Sequence, residues 1–539
     1  MFLRRLARPV GGLAVSAAAA VASTAHAQHA PVPASLASEC ETDVTVENWS
    51  STHSASPVAY FQPDGEAAIE RIISAMHEAG SRIRVVGSKL SPNAIGFSDE
   101  AMLDMAQCDA VLSVDATSMQ ATVQAGARVS DVVEALRPHG LTLRNYASIA
   151  EQQIGGFLQV GAHGTGASVP PVDEQVIRMV LHTPALGRLE LSAWKTPRLF
   201  YLAKVGLGWL GVVSEVTIQC VPAHRLLQHT YVETREGIAK THLENLKHQH
   251  MRYMWIPNTD TVVVVTCDPI KEDVPIPECK PIDEFAATAP LRNLLLRASK
   301  ERSQPVSARD AAQMNFAQLR DALLKLAPLD KEHVIRVNRA EAEFWHSAQG
   351  YRLDWSDKLL GFECGGQQWV SEVAFPCGTL QNPDGRDLSY MSDLLALIEE
   401  SDLPTPAPIE QRWTRSSRAL MSPAYSHKPD DIFSWVGIIM YLPTQEATER
   451  DAITKRFWEY NALCRKHLWP MYGAHQHWAK IEIPDREEDL RRIRMRLADR
   501  FAVEALVDAK RRLDPKGILG NTLVDTLLLP DSEVTLRSD

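Results

Sequence analysis

Asn145–Gly166 reads NYASIAEQQIGGFLQVGAHGTG, and its second half carries Gly155, Gly156, Gly161, Ala162, Gly164 and Gly166. Small residues at that density let main chain approach something flat or charged closely, although tight strand–helix packing uses the same residues. A second glycine-led turn, Gly87-Ser88-Lys89-Leu90-Ser91-Pro92-Asn93, follows the apolar strand pattern IRVVG. Successive N–H groups in such a turn, helped by two serine hydroxyls, form an anion cradle. A third stretch, GLGWLGVV, spans residues 206–213. Three such segments in one stretch of mixed helix and strand point to a large phosphate-bearing cofactor held mainly by backbone.

Gly206, Gly208 and Gly211 also spell GxGxxG. In a dinucleotide-binding loop those glycines follow a strand and open a helix. Here the order is reversed, with helical LFYLAKV before and strand-like VVSEVTIQC after, and no acidic ribose partner follows. Tight-turn glycines are the better reading.

Working outward, helix and strand signals alternate from Pro63 to Cys220. Asp64 is placed to cap a helix with Ala68, Ile69, Ile72, Ile73 and Met76 on one face and Gly80 at its end. VLSVDA and ATVQAG read as strands around a polar turn, and Ser130 is placed to cap DVVEALRPHG. Beyond residue 230 come a β-rich run (YMWIPNTDTVVVVTC), a Pro-rich crossing (PIKEDVPIPECKP) and a helical, charged stretch over 283–330. Strand patterns return at GGQQWVSEVAF and FSWVGIIMYL, and the end of the chain is helical and dense in opposite charges.

The 539 residues carry 56 Lys and Arg against 67 Asp and Glu, a formal net charge of −11. That argues against a nucleic-acid binder and leaves room for a small substrate or a basic protein partner. The eight cysteines include no CxxC pair, and HExxH is absent, so reduced thiols and no metal are expected. Met1–Ser38 has no acid, carries Arg4, Arg5 and Arg8, and is rich in Ala and Ser. A mitochondrial presequence and a secretory signal ending at AHA both fit, and Ala, Gly and Ser are too weakly apolar for a good membrane anchor. Loss of residues 1–28 removes three arginines and no acid, moving the charge from −11 to −14.

VVGSKLSPN, NYASIAEQQIGGFLQVGAHGTG, GLGWLGVVSEVTIQC and PIEQRWT together resemble the vanillyl-alcohol oxidase-type flavoproteins, and within them the aldonolactone oxidoreductases, from about Asn48 to the C-terminus. The resemblance implies an α+β, two-lobed FAD domain over 45–225, a mixed α/β cap carrying the substrate over 226–480, and a segment 481–539 that packs back on the FAD domain, after a targeting stretch 1–38. It implies that Gly87, Ser88, Lys89, Leu90 and Ser91 cradle the pyrophosphate. Ala147, Ser148, Gly155, Gly156, Gly161, Thr165 and Val213 then line the FAD. Oxidases of the family bond the flavin through a histidine at the position of Leu90; leucine cannot, so the FAD is expected to be non-covalent. Lys89 stands where close relatives have glycine; its charge would favour the pyrophosphate. Ala147 replaces a glycine of the oxidases and would narrow oxygen's approach. His163 reads as a packed turn histidine rather than a pocket residue.

Glu410 and Arg412 are two apart, which on a strand puts both on one face. A surface ion pair is the bland alternative. With the resemblance, Arg412 donates to lactone oxygens and Glu410 orients or deprotonates a hydroxyl. Lys480 matches a lysine near the flavin, and Cys364 a pocket cysteine, with an inert buried thiol equally open for the latter. The implied reaction moves a hydride from C2 of L-galactono-1,4-lactone to flavin N5, yields ascorbate and passes electrons to cytochrome c. This favours a mitochondrial location in the intermembrane space, with peripheral association with the inner membrane open. Oxidation of L-gulono- or D-arabinono-1,4-lactone by oxygen, and an assembly role at a respiratory complex, are the alternatives.

Overall fold

The computed structural model describes residues 31–270, 275–361, 365–530 and 532–533. Near the start, a mixed sheet orders Cys40–Glu41, Ala59–Phe61, Ala101–Asp104 and Arg84–Val86, with the last three parallel. A five-stranded antiparallel sheet orders Gly187–Ser192, Val176–Thr183, Val212–Gln219, Gln120–Gln124 and Val111–Asp115. The helix Glu66–Ala79 buries Ala68, Ile69, Ile72, Ile73 and Met76, the face its spacing marks out, and Gly80 ends it at φ +73°.

Two caps differ from expectation. Gly65, not Asp64, precedes that first helix, without a side-chain cap. The acid at its N-terminal turn is Glu66, which accepts from Ser214 Oγ at 2.8 Å and Arg188 Nε at 3.2 Å. The second helix begins at Val129, one residue before Ser130. Its first N–H groups bond the carbonyls of Gln152 and Ala150, so main chain from the Asn145–Gly166 stretch replaces a serine cap.

An eight-stranded antiparallel sheet builds the second lobe, in the order Gly350–Trp355, Arg225–Thr234, Thr261–Pro269, His250–Trp255, Ile409–Arg415, Asp431–Tyr441, Gln368–Thr379 and His475–Gln476. Its back is apolar: Tyr253, Trp413 and Val436 pack with Leu394 and Ile398 of helix Arg386–Glu400 and with Phe457 of helix Ala447–His467. Helices between Glu284 and Ser347 form a further core around Leu291, Leu319 and Val337. The chain ends in the helices Glu487–Arg500, Val503–Leu513 and Thr522–Leu528, whose Leu497, Leu506 and Leu523 join Ile72 and Val216 in the first lobe's core. No helix among the described residues is long and apolar enough to cross a membrane.

Candidate active site

Alternation on the strand Ile409–Arg415 sends Gln411 and Trp413 to the back, where both bond Asp387, and Glu410 and Arg412 to the front. The front opens into a cavity of about 620 Å³ that runs back between the glycine-rich segments of the first lobe. Gly87, Ser88, Lys89, Leu90, Ser91, Ala147, Ser148, Gly155, Gly156 and Val213 line it on one side, and Glu410, Arg412 and Lys480 on the other. The cradle turn and the Asn145–Gly166 stretch are joined by Ser88 Oγ, which donates to the Glu151 carbonyl at 2.6 Å.

Two expected cofactor residues do not reach the lining. Gly161 turns the chain at φ +68° against Val205 and Pro423, and Thr165 faces His250 with its Oγ 3.3 Å from Nδ1. Cys364 lies outside the described residues. Lys89 holds φ +58°, a conformation glycine adopts freely, and its Nζ lies 2.6 Å from the buried carboxylate of Asp104. That ion pair anchors the lysine beside the cradle turn, where it also lines the cavity.

The centre of the site is a residue the sequence reading passed over. Glu372, on the strand Gln368–Thr379, is buried and lines the cavity. Its Oε1 accepts from Arg412 Nη2 at 2.7 Å and its Oε2 from Lys480 Nζ at 2.7 Å. Burial alone would raise its pKa, but the charges of Lys480 and Arg412, with the His163 ring beside it, outweigh burial and hold the carboxyl well below the usual range. Arg412 also donates to Ser148 Oγ at 3.2 Å, and its Nε is 3.4 Å from Glu410 Oε2. Glu410 in turn accepts from Arg252 Nη1 at 3.2 Å.

His163 is both packed and part of the site. It stacks on Trp435 with centroids 3.7 Å apart, its Nε2 is 3.1 Å from Glu372 Oε1, and it lines the cavity. Burial lowers its pKa to about 4, so the ring is neutral. Lys480 stands on the turn Trp478–Lys480, fixed from far along the chain: Asn93 Nδ2 donates to the carbonyls of Trp478 at 2.8 Å and Ile481 at 2.7 Å. Thus the residue that closes the first cradle also sets the lysine. The signals for Glu372 lay in GGQQWVSEVAF, where an acid in a strand flanked by Val and Ala is a buried charge that must be paired.

The cavity has the features an FAD needs. A Cβ at Gly156 would meet nothing within 4 Å, so that glycine leaves free space against the lining. Trp49 Nε1, Gln152 Oε1 and Gln153 Oε1 are buried on lining residues with no hydrogen-bond partner among the described residues, and such groups call for a polar ligand.

A glycine-walled cleft that runs into a charged sheet face defines an FAD-dependent oxidoreductase of the vanillyl-alcohol oxidase type. Residues 57–191 match the model of an FAD binding domain and residues 216–527 that of D-arabinono-1,4-lactone oxidase. The chain belongs to the L-galactono-1,4-lactone dehydrogenase family of aldonolactone oxidoreductases. It is 50% identical to L-galactono-1,4-lactone dehydrogenase, mitochondrial, of Arabidopsis thaliana over 93% of this chain and 82% of that protein. It is 49% identical to L-galactono-1,4-lactone dehydrogenase 1, mitochondrial, of Oryza sativa over 94% and 86%, and 25% identical to L-gulonolactone oxidase of Mus musculus over 89% and 98%. Cholesterol oxidase from B. sterolicum shares the fold, with a TM-score of 0.68 at 14% identity over 93% of this chain and 99% of that one.

Proposed function

We propose that this chain oxidises L-galactono-1,4-lactone to L-ascorbate as a dehydrogenase, with non-covalently held FAD. The observation that carries the reading is the Glu410–Arg412 pair, aimed into the cavity beside Ser148 of the cofactor segment. Bound FAD supplies a ring that accepts a hydride from C2 of the lactone. Arg412, fixed at one end by Glu372, donates to the lactone's oxygens and sets the ring's angle. Glu410 is less enclosed than Glu372 and accepts the C2 hydroxyl, taking its proton as the hydride leaves. Lys480 presents a cation to the charge that builds up on the far side of the transfer, and Glu372 keeps that cation in place. Gly87, Ser88 and Ser91 would hold the pyrophosphate by main-chain N–H groups and the Ser91 hydroxyl, while Ala147, Gly155, Gly156 and Val213 would wall the ring. Leu90 offers no atom for a covalent link.

The electron acceptor in this reading is cytochrome c, a basic protein, met by an acidic surface in the mitochondrial intermembrane space; added salt then slows the encounter. The relatives bearing a mitochondrial name and the acid-free, Arg-bearing Met1–Ser38 support that location. The test is a visible spectrum of the purified protein, followed without air while lactones are added. A yellow protein bleached by L-galactono-1,4-lactone, recoloured by cytochrome c, and releasing its flavin on acid precipitation is the expected result. A flavin band that no aldonolactone bleaches would overturn the reading.

A further inference from the structure

Along the strand Asp431–Tyr441 the residues that line the cavity are Gly437, Ile439 and Tyr441, two bulky residues and one with no side chain. Gly437 is paired across the sheet with Glu410 on one side and Glu372 on the other, and all three line the cavity. The glycine therefore makes a one-residue notch in the sheet floor, between the two carboxylates of the site.

The fold itself does not call for glycine there. The backbone of Gly437 is not in the left-handed region. A Cβ would find Glu372 Oε1 at 3.8 Å and the Glu410 carbonyl at 3.9 Å, which is ordinary contact. Other glycines differ: a Cβ at Gly126 would lie 1.8 Å from the Met105 carbonyl, and one at Gly164 2.0 Å from Asn145 Oδ1. Glycine inside a strand weakens it, and in that position it marks a close approach by something outside the sheet. At Gly437 what the missing side chain supplies is space on the cavity face.

We propose that the lactone ring lies flat on Gly437, in the notch between Glu410 and Glu372, so that this glycine sets the thickness of ring the site accepts. The inference deepens the reading as an aldonolactone dehydrogenase and rests on it. A ring seated there has a hydroxyl within reach of Glu410, has Arg412 one position along that same strand face, and leaves its exocyclic arm to run over Val370, Ile439 and Pro408, which line the next stretch of wall.

The test compares Gly437→Ala and Gly437→Val with the parent, by steady-state kinetics on a six-carbon and a five-carbon 1,4-lactone, flavin content and thermal midpoint. Gly437→Ala should keep one flavin per chain and an equal or higher midpoint, yet lose about tenfold or more in kcat/KM. Gly437→Val should lose more, and both lactones should suffer alike, because they share the ring. An undiminished Gly437→Ala with an active parent overturns this inference alone. So does a loss confined to the six-carbon lactone, which would place the contact on the arm. Flavin loss or a lower midpoint in Gly437→Ala would mark a structural glycine and also overturn it. A flavin-loaded parent inactive on every aldonolactone would instead bring down the functional reading beneath it.

Discussion

A carboxylate taken out of water is tolerable only when its charge is fully met, and Glu372 is met by Arg412, Lys480 and the edge of His163. Replacing it with glutamine keeps the shape and removes the charge. Arg412 and Lys480 then repel each other without a mediator, and their aim at the cavity loosens. Glu372→Gln should lower kcat/KM by about 10- to 100-fold with flavin content unchanged; kinetics equal to the parent would show that Arg412 is fixed by other means. Ala147 carries a different expectation. Its side chain lines the cavity at the cofactor segment, so Ala147→Gly opens one methyl's width beside the ring and should raise the rate of reoxidation by oxygen, read as peroxide formed per turnover. A variant as slow with oxygen as the parent would remove the gate. Residue identities on a strand are legible when two charges share a face, as with Glu410 and Arg412. For Glu372 the sequence shows an acid within a strand but not its partners, which arrive from residues 40 and 108 positions away.

At the scale of elements, most helices and strands follow from periodicity: the buried face of Glu66–Ala79, the strands Val111–Asp115 and Gln120–Gln124, and the helix–turn–strand order around Gly206 that excluded a dinucleotide loop. What periodicity does not carry is which distant segment closes an element. The helix Thr522–Leu528 shows this. Asn521 caps it by accepting from Val524 N at 3.0 Å, while its Nδ2 donates to the carbonyls of Ala94, Ile95 and Phe97, more than 420 residues earlier. Ile95 and Phe97 line the cavity, so the last helix props the wall beyond the cradle turn. Asn521→Ala removes a cap and three side-chain bonds, two of them buried, and should destabilise the protein by about 2 kcal/mol or more. The flavin should dissociate more readily as well, measured by a lower thermal midpoint and by flavin fluorescence freed on dilution. A lower midpoint with flavin retention intact would separate the cap from the cavity wall.

For the whole molecule, the same burial that shapes the site sets its response to acid. Burial lowers the pKa of His163 and of His250 to about 4 and holds His477 well below its ordinary value, so all three are neutral in the folded chain. Unfolded, they take up protons near pH 6.5. Between pH 6.5 and about 4 the unfolded chain binds more protons than the folded one, and stability falls as pH falls through that window. His163 and His250 each give up about 2 kcal/mol on going from pH 7 to pH 5, and His477 acts in the same direction. Asp173, which burial raises to about 6, works the other way, because the folded form gains a proton there that the unfolded form does not hold. Glu341, raised by burial, opposes in the same sense. Burial also lowers His475, to about 3, and His182, His229 and His333, while Asp321 and His53 are raised and oppose the loss. Among the described residues, seven lowered histidines against three raised acids and one raised histidine leave a net loss. The urea midpoint of the flavin-loaded protein, followed by tryptophan fluorescence, should therefore drop clearly between pH 7 and pH 5. Phenylalanine at His250, which lies outside the cavity lining, should make that drop shallower, since one proton-accepting ring is gone from the unfolded state. A midpoint equal or higher at pH 5 would mean that these rings are already charged in the fold, and that His163 presents a cation, not a neutral ring, to Glu372.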